Sequence, residues 1–322
     1  MTDTSRTGEF TINGDRGGRP VAGQEAGLRR PNGPTPSLET VNVTRFTRSR
    51  LAAPFAIGAL VLATIASAAG LLIPHLYRDT ESWVRQAQAS DVTTIALAVP
   101  VLGIGMWRAR RGSALGYLLT LGALSYLAYG YAIFSFAVAT NAMTPLHYAI
   151  LGLGAWSLVL HVVGIDLDAI DAATVGRVPR RTTGWFLIGV AGLFVILWGG
   201  QIAASIVSGT TTPEVAALGL TTNPVWALDL AFALPFLAFA GSVLLRGRRH
   251  ATIAALPALV FSAVMGLSIL AIFALDVLAG QRVDIMPVAL VGSIVAVATV
   301  LVATCVIQAP SSLASGARYG TG

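Results

Sequence analysis

Apolar residues fall into eight stretches, approximately 51–74, 92–107, 114–138, 143–165, 185–207, 225–245, 251–278 and 285–307, separated by short polar turns. Most match or exceed the roughly 20 helical residues that cross a hydrocarbon core. The second is the shortest and spans only with its flanks. The stretches are continuous, with none of the roughly ten-residue alternation of a membrane barrel strand. The pattern predicts an all-α, polytopic bundle of eight transmembrane helices.

Composition agrees with this reading. The chain has 322 residues, of which 55% are hydrophobic and 11% charged, against roughly a quarter charged in soluble domains. Every one of the 21 basic residues is arginine, which with the abundance of Ala and Gly points to a high-GC bacterial genome. A net charge of +6 would suggest a nucleic-acid partner in a soluble protein. Here the arginines follow the membrane, so the expected partner is the bilayer and no nucleic acid. Only Arg78, Arg85 and Arg282 lie in loops on one side; all the others lie before the first span, after the last, or in the alternate loops. By the positive-inside rule both termini are cytoplasmic and the protein is multi-pass in the plasma (inner) membrane.

The expected organisation is a disordered cytoplasmic tail over 1–50, a first four-helix unit over 51–165 and a cytoplasmic linker over 166–184. A second four-helix unit over 185–308 and a tail over 309–322 complete it. The tail over 1–50 is rich in Gly, Pro, Arg, Ser and Thr and has no apolar run of signal-peptide length. The single Cys305 lies inside the last span, which removes a disulfide framework and a cysteine metal cluster.

A duplication relates the halves. Asp91 leads through Pro100 to Arg108, Arg110 and Arg111, and Asp229 leads through Pro235 to Arg246, Arg248 and Arg249. Phe55-Ala56-Ile57-Gly58 is echoed by Phe186-Leu187-Ile188-Gly189. Four spans return the chain to its starting side, so such a repeat has parallel topology, and substrate sites often lie between halves of that kind.

With the termini inside, Tyr131, His147, Gln201 and Asp229 fall in one layer below the outer boundary on four helices, with Asp91 at that boundary. Asp229 is the sharpest of these. A carboxylate inside an apolar helix costs about 2.5–3.5 kcal/mol if central, and Asn223-Pro224, read as N-cap and first helical residue, places Asp229 beyond the turn where the helix dipole acts. Asp91 reads as the start of its span, where exposed backbone amides favour a carboxylate. His147 offers a proton carrier, a metal ligand or a cross-helix hydrogen bond. Tyr126, Tyr129, Trp198 and Trp226 fit an interfacial aromatic belt; residues two apart, such as Tyr129 and Tyr131, cannot face the same way. Ala66 with Gly70 makes a small-residue pair for close helix approach. Asp166, Asp168 and Asp171 lack the glycine and closing glutamate of a calcium loop. No hydrolase, zinc or phosphate-binding motif is present, and no cofactor is implied.

Asp91-Val-Thr-Thr through Arg110-Arg111-Gly112-Ser113 with Tyr126, Tyr129 and Tyr131, and Asn223 through Asp229 with Pro235, resemble a widespread group of bacterial and archaeal multi-span membrane proteins of uncharacterised function. The resemblance implies an integral membrane protein and carries no activity or site residues with it. The leading expectation is a transporter or permease-like protein binding a small molecule or cation at Asp229, with His147, Tyr131, Gln201 and Asp91 in support. The alternatives are a membrane enzyme acting on a lipid or quinone headgroup with Asp229 and His147 as acid and base, and a non-catalytic scaffold or sensor.

Overall fold

A computed structural model describes residues 46–307, and eight of its helices are long and apolar enough to cross a membrane. They are α1 (Ala52–Leu72), α2 (Glu81–Arg110), α3 (Ala114–Ala137), α4 (Thr144–Val163), α6 (Arg180–Ser208), α8 (Pro224–Leu245), α9 (Ala251–Leu278) and α10 (Ile285–Ile307). Two short helices lie between spans, α5 (Leu167–Thr174) and α7 (Pro213–Ala217). Residues 1–45 and 308–322, which hold most of the two expected tails, lie outside the described residues. Eight crossings place both ends of the described chain at one end of the bundle, called proximal below; the other end is distal.

Local chemistry starts the helices. Ser113 caps α3 by accepting from the Gly116 N–H at 3.2 Å, and Asp166 caps α5 through Ala169 at 3.0 Å. Asn223 caps α8 through the Val225 N–H at 2.9 Å with Pro224 at the first helical position, as the sequence predicts. At the proximal end Arg180 donates to the carbonyls of Leu244 and Leu245 at 2.8 and 2.6 Å. These bonds serve carbonyls of the last turn of α8, that of Leu244 together with the Gly247 N–H at 3.0 Å.

Two expectations change. The second span begins at Glu81, well before the apolar stretch at 92–107, so most of the expected loop 75–91 is helix. Hydropathy misses these turns because they are amphipathic. Trp83, Ala87, Ala89 and Asp91 are buried, Trp83 Nε1 donates to the Ala137 carbonyl at 2.7 Å, and Arg85 binds Asp276 of α9 at 2.7 Å. At the proximal end, Phe46 and Thr47 belong to the bundle, not to a free tail. The Phe46 carbonyl accepts from the Asp166 N–H at 2.9 Å, the Arg48 N–H donates to Gly164 at 2.8 Å, and the Phe46 ring packs 6.0 Å from Tyr117.

Packing is centred on α3 and α9, which run against each other and carry the largest buried shares of the eight spans. A Cβ at Gly122 would stand 2.5 Å from the Val260 Cβ and 3.0 Å from the Pro257 carbonyl, so glycine sets that approach. α1 packs on α4 and α2 along a stripe of Ala56, Ala59, Ala63, Ala66 and Gly70. α6 is held almost entirely by α8 and is the least buried span. It makes no substantial packing with α10.

Two spans are interrupted in the same way. In α2 the Val99 N–H bonds to the Thr94 carbonyl, and in α8 the Leu234 N–H bonds to the Asp229 carbonyl, each closing a π turn over Thr94–Ala98 and Asp229–Ala233. Pro100 and Pro235 follow at the same remove. A proline has no N–H to give and its ring presses on the preceding turn, so that turn widens.

Gly241 is where α6 depends on α8: a Cβ there would lie 2.6 Å from the Gly184 carbonyl. Gly241→Val is expected to cost about 1–3 kcal/mol through overpacking. Limited proteolysis should then cut the connections on either side of α6 in the variant before the wild type.

Candidate functional site

The layer of four polar residues predicted from sequence divides into separate groups, one on each side of α3. Tyr129 and Tyr131 lie two residues apart on that helix and face opposite ways.

On one side, Asp229 joins three helices. Its Oδ1 accepts from the Tyr129 hydroxyl of α3 and its Oδ2 from the Trp198 indole N–H of α6, both at 2.8 Å. Charge-assisted bonds of this kind are stronger than neutral ones, and each oxygen keeps a lone pair for a further donor. Asp229 opens the π turn of α8 and is half-buried. Its side chain stands in the wall of a cavity of about 160 Å³. α2, α3, α6, α8, α9 and α10 all contribute to that cavity, through residues that include Ser90, Phe194, Leu237, Met265 and Ile294. The lining is mostly apolar, with Asp229 as its one carboxylate.

On the other side, Tyr131 is buried against α1, with its hydroxyl 3.2 Å from Ser67 Oγ and 3.3 Å from the Ala63 carbonyl. The Tyr131 ring packs 5.9 Å from the ring of His147 and 5.4 Å from that of Phe134. His147 is 1% exposed, and its Nδ1 has no hydrogen-bond partner among the described residues. Asp229 and His147 share no hydrogen bond and no common partner, so the acid–base pair expected for the enzyme reading is not assembled. Gln201 lies one turn beyond Trp198 on α6 and makes no side-chain hydrogen bond among the described residues.

Asp91 differs most from its expectation. It is not at a helix start with free amides but several turns inside α2, 2% exposed. Its Oδ2 accepts from the Tyr77 hydroxyl at 2.5 Å. A Cβ at Gly70 would collide with the Asp91 carboxylate and the Tyr77 hydroxyl, so the glycine of the Ala66–Gly70 pair serves this bond as well as helix packing.

Tyr77 carries no signal in the sequence, because it sits in a turn and meets Asp91 only through the fold. Trp198 looks like a belt residue, and its one distinguishing property is the carboxylate it reaches across two helices. Near the distal end, Asp79 Oδ1 accepts from the Ala139 N–H at 2.9 Å while Oδ2 is buried without a partner among the described residues. Burial raises the Asp79 carboxyl above its usual range, against the smaller lowering by the Ala139 N–H. No group of three or more His, Cys, Asp or Glu side chains suited to a metal ion occurs among the described residues.

No family model, curated protein or solved structure matches the chain.

Removing one donor from Asp229 leaves a carboxylate oxygen unpaired, which costs about 1–3 kcal/mol. Tyr129→Phe and Trp198→Phe should each lower the unfolding midpoint in detergent, and in the double variant the losses should not add. A raised carboxyl favours the neutral acid in the folded protein, so its contribution is complete below about pH 3.9 and is lost as pH rises through the folded value. Asp79→Asn should therefore flatten the fall in thermal stability above about pH 4; an unchanged pH profile would show that Asp79 does not cause it.

Proposed function

We propose that this chain is a permease-like integral membrane protein whose cavity takes a small, largely apolar molecule and binds the molecule's cationic or hydrogen-bond-donating end at Asp229. The observation that carries this reading is the position of that carboxylate: the single acid in an apolar cavity, fixed by donors from α3 and α6. An apolar lining suits hydrocarbon and cannot replace the water shell of a bare metal cation, so the ligand is amphipathic, not a hydrated ion. Tyr129 and Trp198 hold Asp229, Gln201 lies one turn beyond Trp198 outside the cavity lining, and Tyr131, His147 and Asp91 belong to the other side of α3.

The cavity draws lining from both halves of the chain. The parallel repeat is supported by the paired π turns and their prolines. In that alignment Thr94, not Asp91, is the counterpart of Asp229, since each opens its turn. The arginine distribution supports an inner-membrane protein with cytoplasmic termini, and with it an outward distal end.

A second reading has its own support: Asp229 already accepts one bond at each oxygen, as a purely structural tie between α3, α6 and α8 would.

Hexylamine, hexanol and hexanoate distinguish the two in nanodiscs, with empty nanodiscs as control. For the binding reading, hexylamine shifts tryptophan fluorescence saturably and at 100 times its dissociation constant stabilises the fold by about 2.7 kcal/mol, while hexanoate does neither. Asp229→Asn and the cavity-filling Met265→Trp should each weaken the hexylamine effect at least about tenfold, roughly 1.4 kcal/mol. Equal responses in wild type and both variants, with Asp229→Asn only less stable, would leave the tie reading.

A further inference from the structure

A second void lies on the opposite face of α2. This polar recess of about 500 Å³ opens at the distal end, between the end of α1, the 73–80 turn and the first turns of α2. Gly70, Tyr77, Asp79, Arg85 and Gln88 are among its lining residues. Asp91 does not line it. Tyr77 stands between the two, with one side on the recess and its hydroxyl bonded to Asp91 Oδ2 at 2.5 Å.

The surroundings of Asp91 hold few charges. α1 brings Ser67 and Gly70, and the 73–80 turn brings Tyr77 and, on the recess, the carboxyl of Asp79. From α3 come Tyr131, bonded to Ser67, and Tyr126, 3.5 Å from Ser268 of α9. The charged side chains that α2 and α9 exchange, Arg85 and Asp276, are bound to each other at 2.7 Å, with Glu81 4.0 Å from Arg85. His147 reaches this group only through the rings of Tyr131 and Phe134. Asp91 thus has no ion-pair partner among the described residues, although a carboxylate within a membrane span ordinarily has one.

A metal ion does not fit here. Calcium takes six to eight oxygen ligands and magnesium a full octahedron, whereas one carboxylate and the hydroxyls of Tyr77 and Ser67 are at hand. The space is closed by the contact with Gly70, where not even a methyl group could be added. A proton needs neither ligands nor room.

We propose that Asp91 is a proton-exchange site served from the distal end through the recess, with Tyr77 as the relay. A proton from recess water adds to the Tyr77 oxygen while the hydroxyl proton already bonded to Asp91 passes to Oδ2. The phenol is regenerated, the carboxylate becomes the neutral acid, and the reverse transfer returns the proton to the recess. α2 links this site to the rest of the protein. Its Arg85 and Gln88 line the recess, while Gln86 and Ser90 line the apolar cavity, so a change of charge at Asp91 acts on the wall shared by both. The exchange does not depend on what the cavity binds.

The test is infrared difference spectroscopy of the full-length protein in nanodiscs, between acidic and alkaline buffer. Wild type should give a carboxylic-acid carbonyl band that shifts in deuterated water. Asp91→Asn should lose it, Asp79→Asn and Asp229→Asn should keep it, and Asp91→Glu should move it. Tyr77→Phe should keep the band but slow its hydrogen–deuterium exchange at least about tenfold, and this variant with wild type carries the test if Asp91→Asn does not fold. No band in wild type, a difference spectrum in folded Asp91→Asn identical to that of wild type, or exchange in Tyr77→Phe at the wild-type rate would each overturn the proposal.

Discussion

In a bilayer core a polar group finds its partner inside the protein or goes without, and the arrangement around α3 follows from that constraint. Asp91, Asp229 and His147 lie among apolar spans, and α3 serves both sides of the bundle from one stretch of sequence. Tyr129 turns toward Asp229 and Tyr131 toward Ser67 and the ring of His147. Because the helix period sends residues two apart to different faces, this segment can partition the interior into a side that holds the apolar cavity and a side packed within the first half.

The spans differ in how firmly they are held, and the difference has a physical origin. α3 and α9 meet through glycine and small side chains, where close approach brings many weak dispersion contacts. α6 meets essentially one neighbour, through Gly184 and Gly241. The Trp198–Asp229 bond therefore adds a polar tie to a helix that packing alone holds on a single face.

The π turns set where the acids sit. A proline placed one helical turn below the distal half of α2 and α8 widens the turn above it, rotating everything on the distal side relative to the proximal side. Asp229 opens such a turn, whereas Asp91 lies just before one. Equivalent spacing from aspartate to the arginine cluster therefore does not give equivalent surroundings. One acid comes to face a cavity and the other a tyrosine over a glycine.

The eight spans, the Asn223-Pro224 helix start and the isolated Cys305 were legible in the sequence, because apolar length, capping chemistry and composition are local properties. So was the singularity of Asp229, a charge with no local reason to be where it is. The polar turns of α2 from Glu81 were not legible, since an amphipathic helix leaning on a bundle has the composition of a loop. Nor was the partnership of Tyr77 with Asp91, or of Trp198 with Asp229. Those bonds join residues on different elements, and only the packing of α1, α2, α3, α6 and α8 decides which side chains meet. Sequence alone determined that this chain fills a membrane with helices and which few residues resist that solvent; the tertiary structure decided that they resist it in two separate places, because side-chain direction on a helix is settled by which neighbour each face finds.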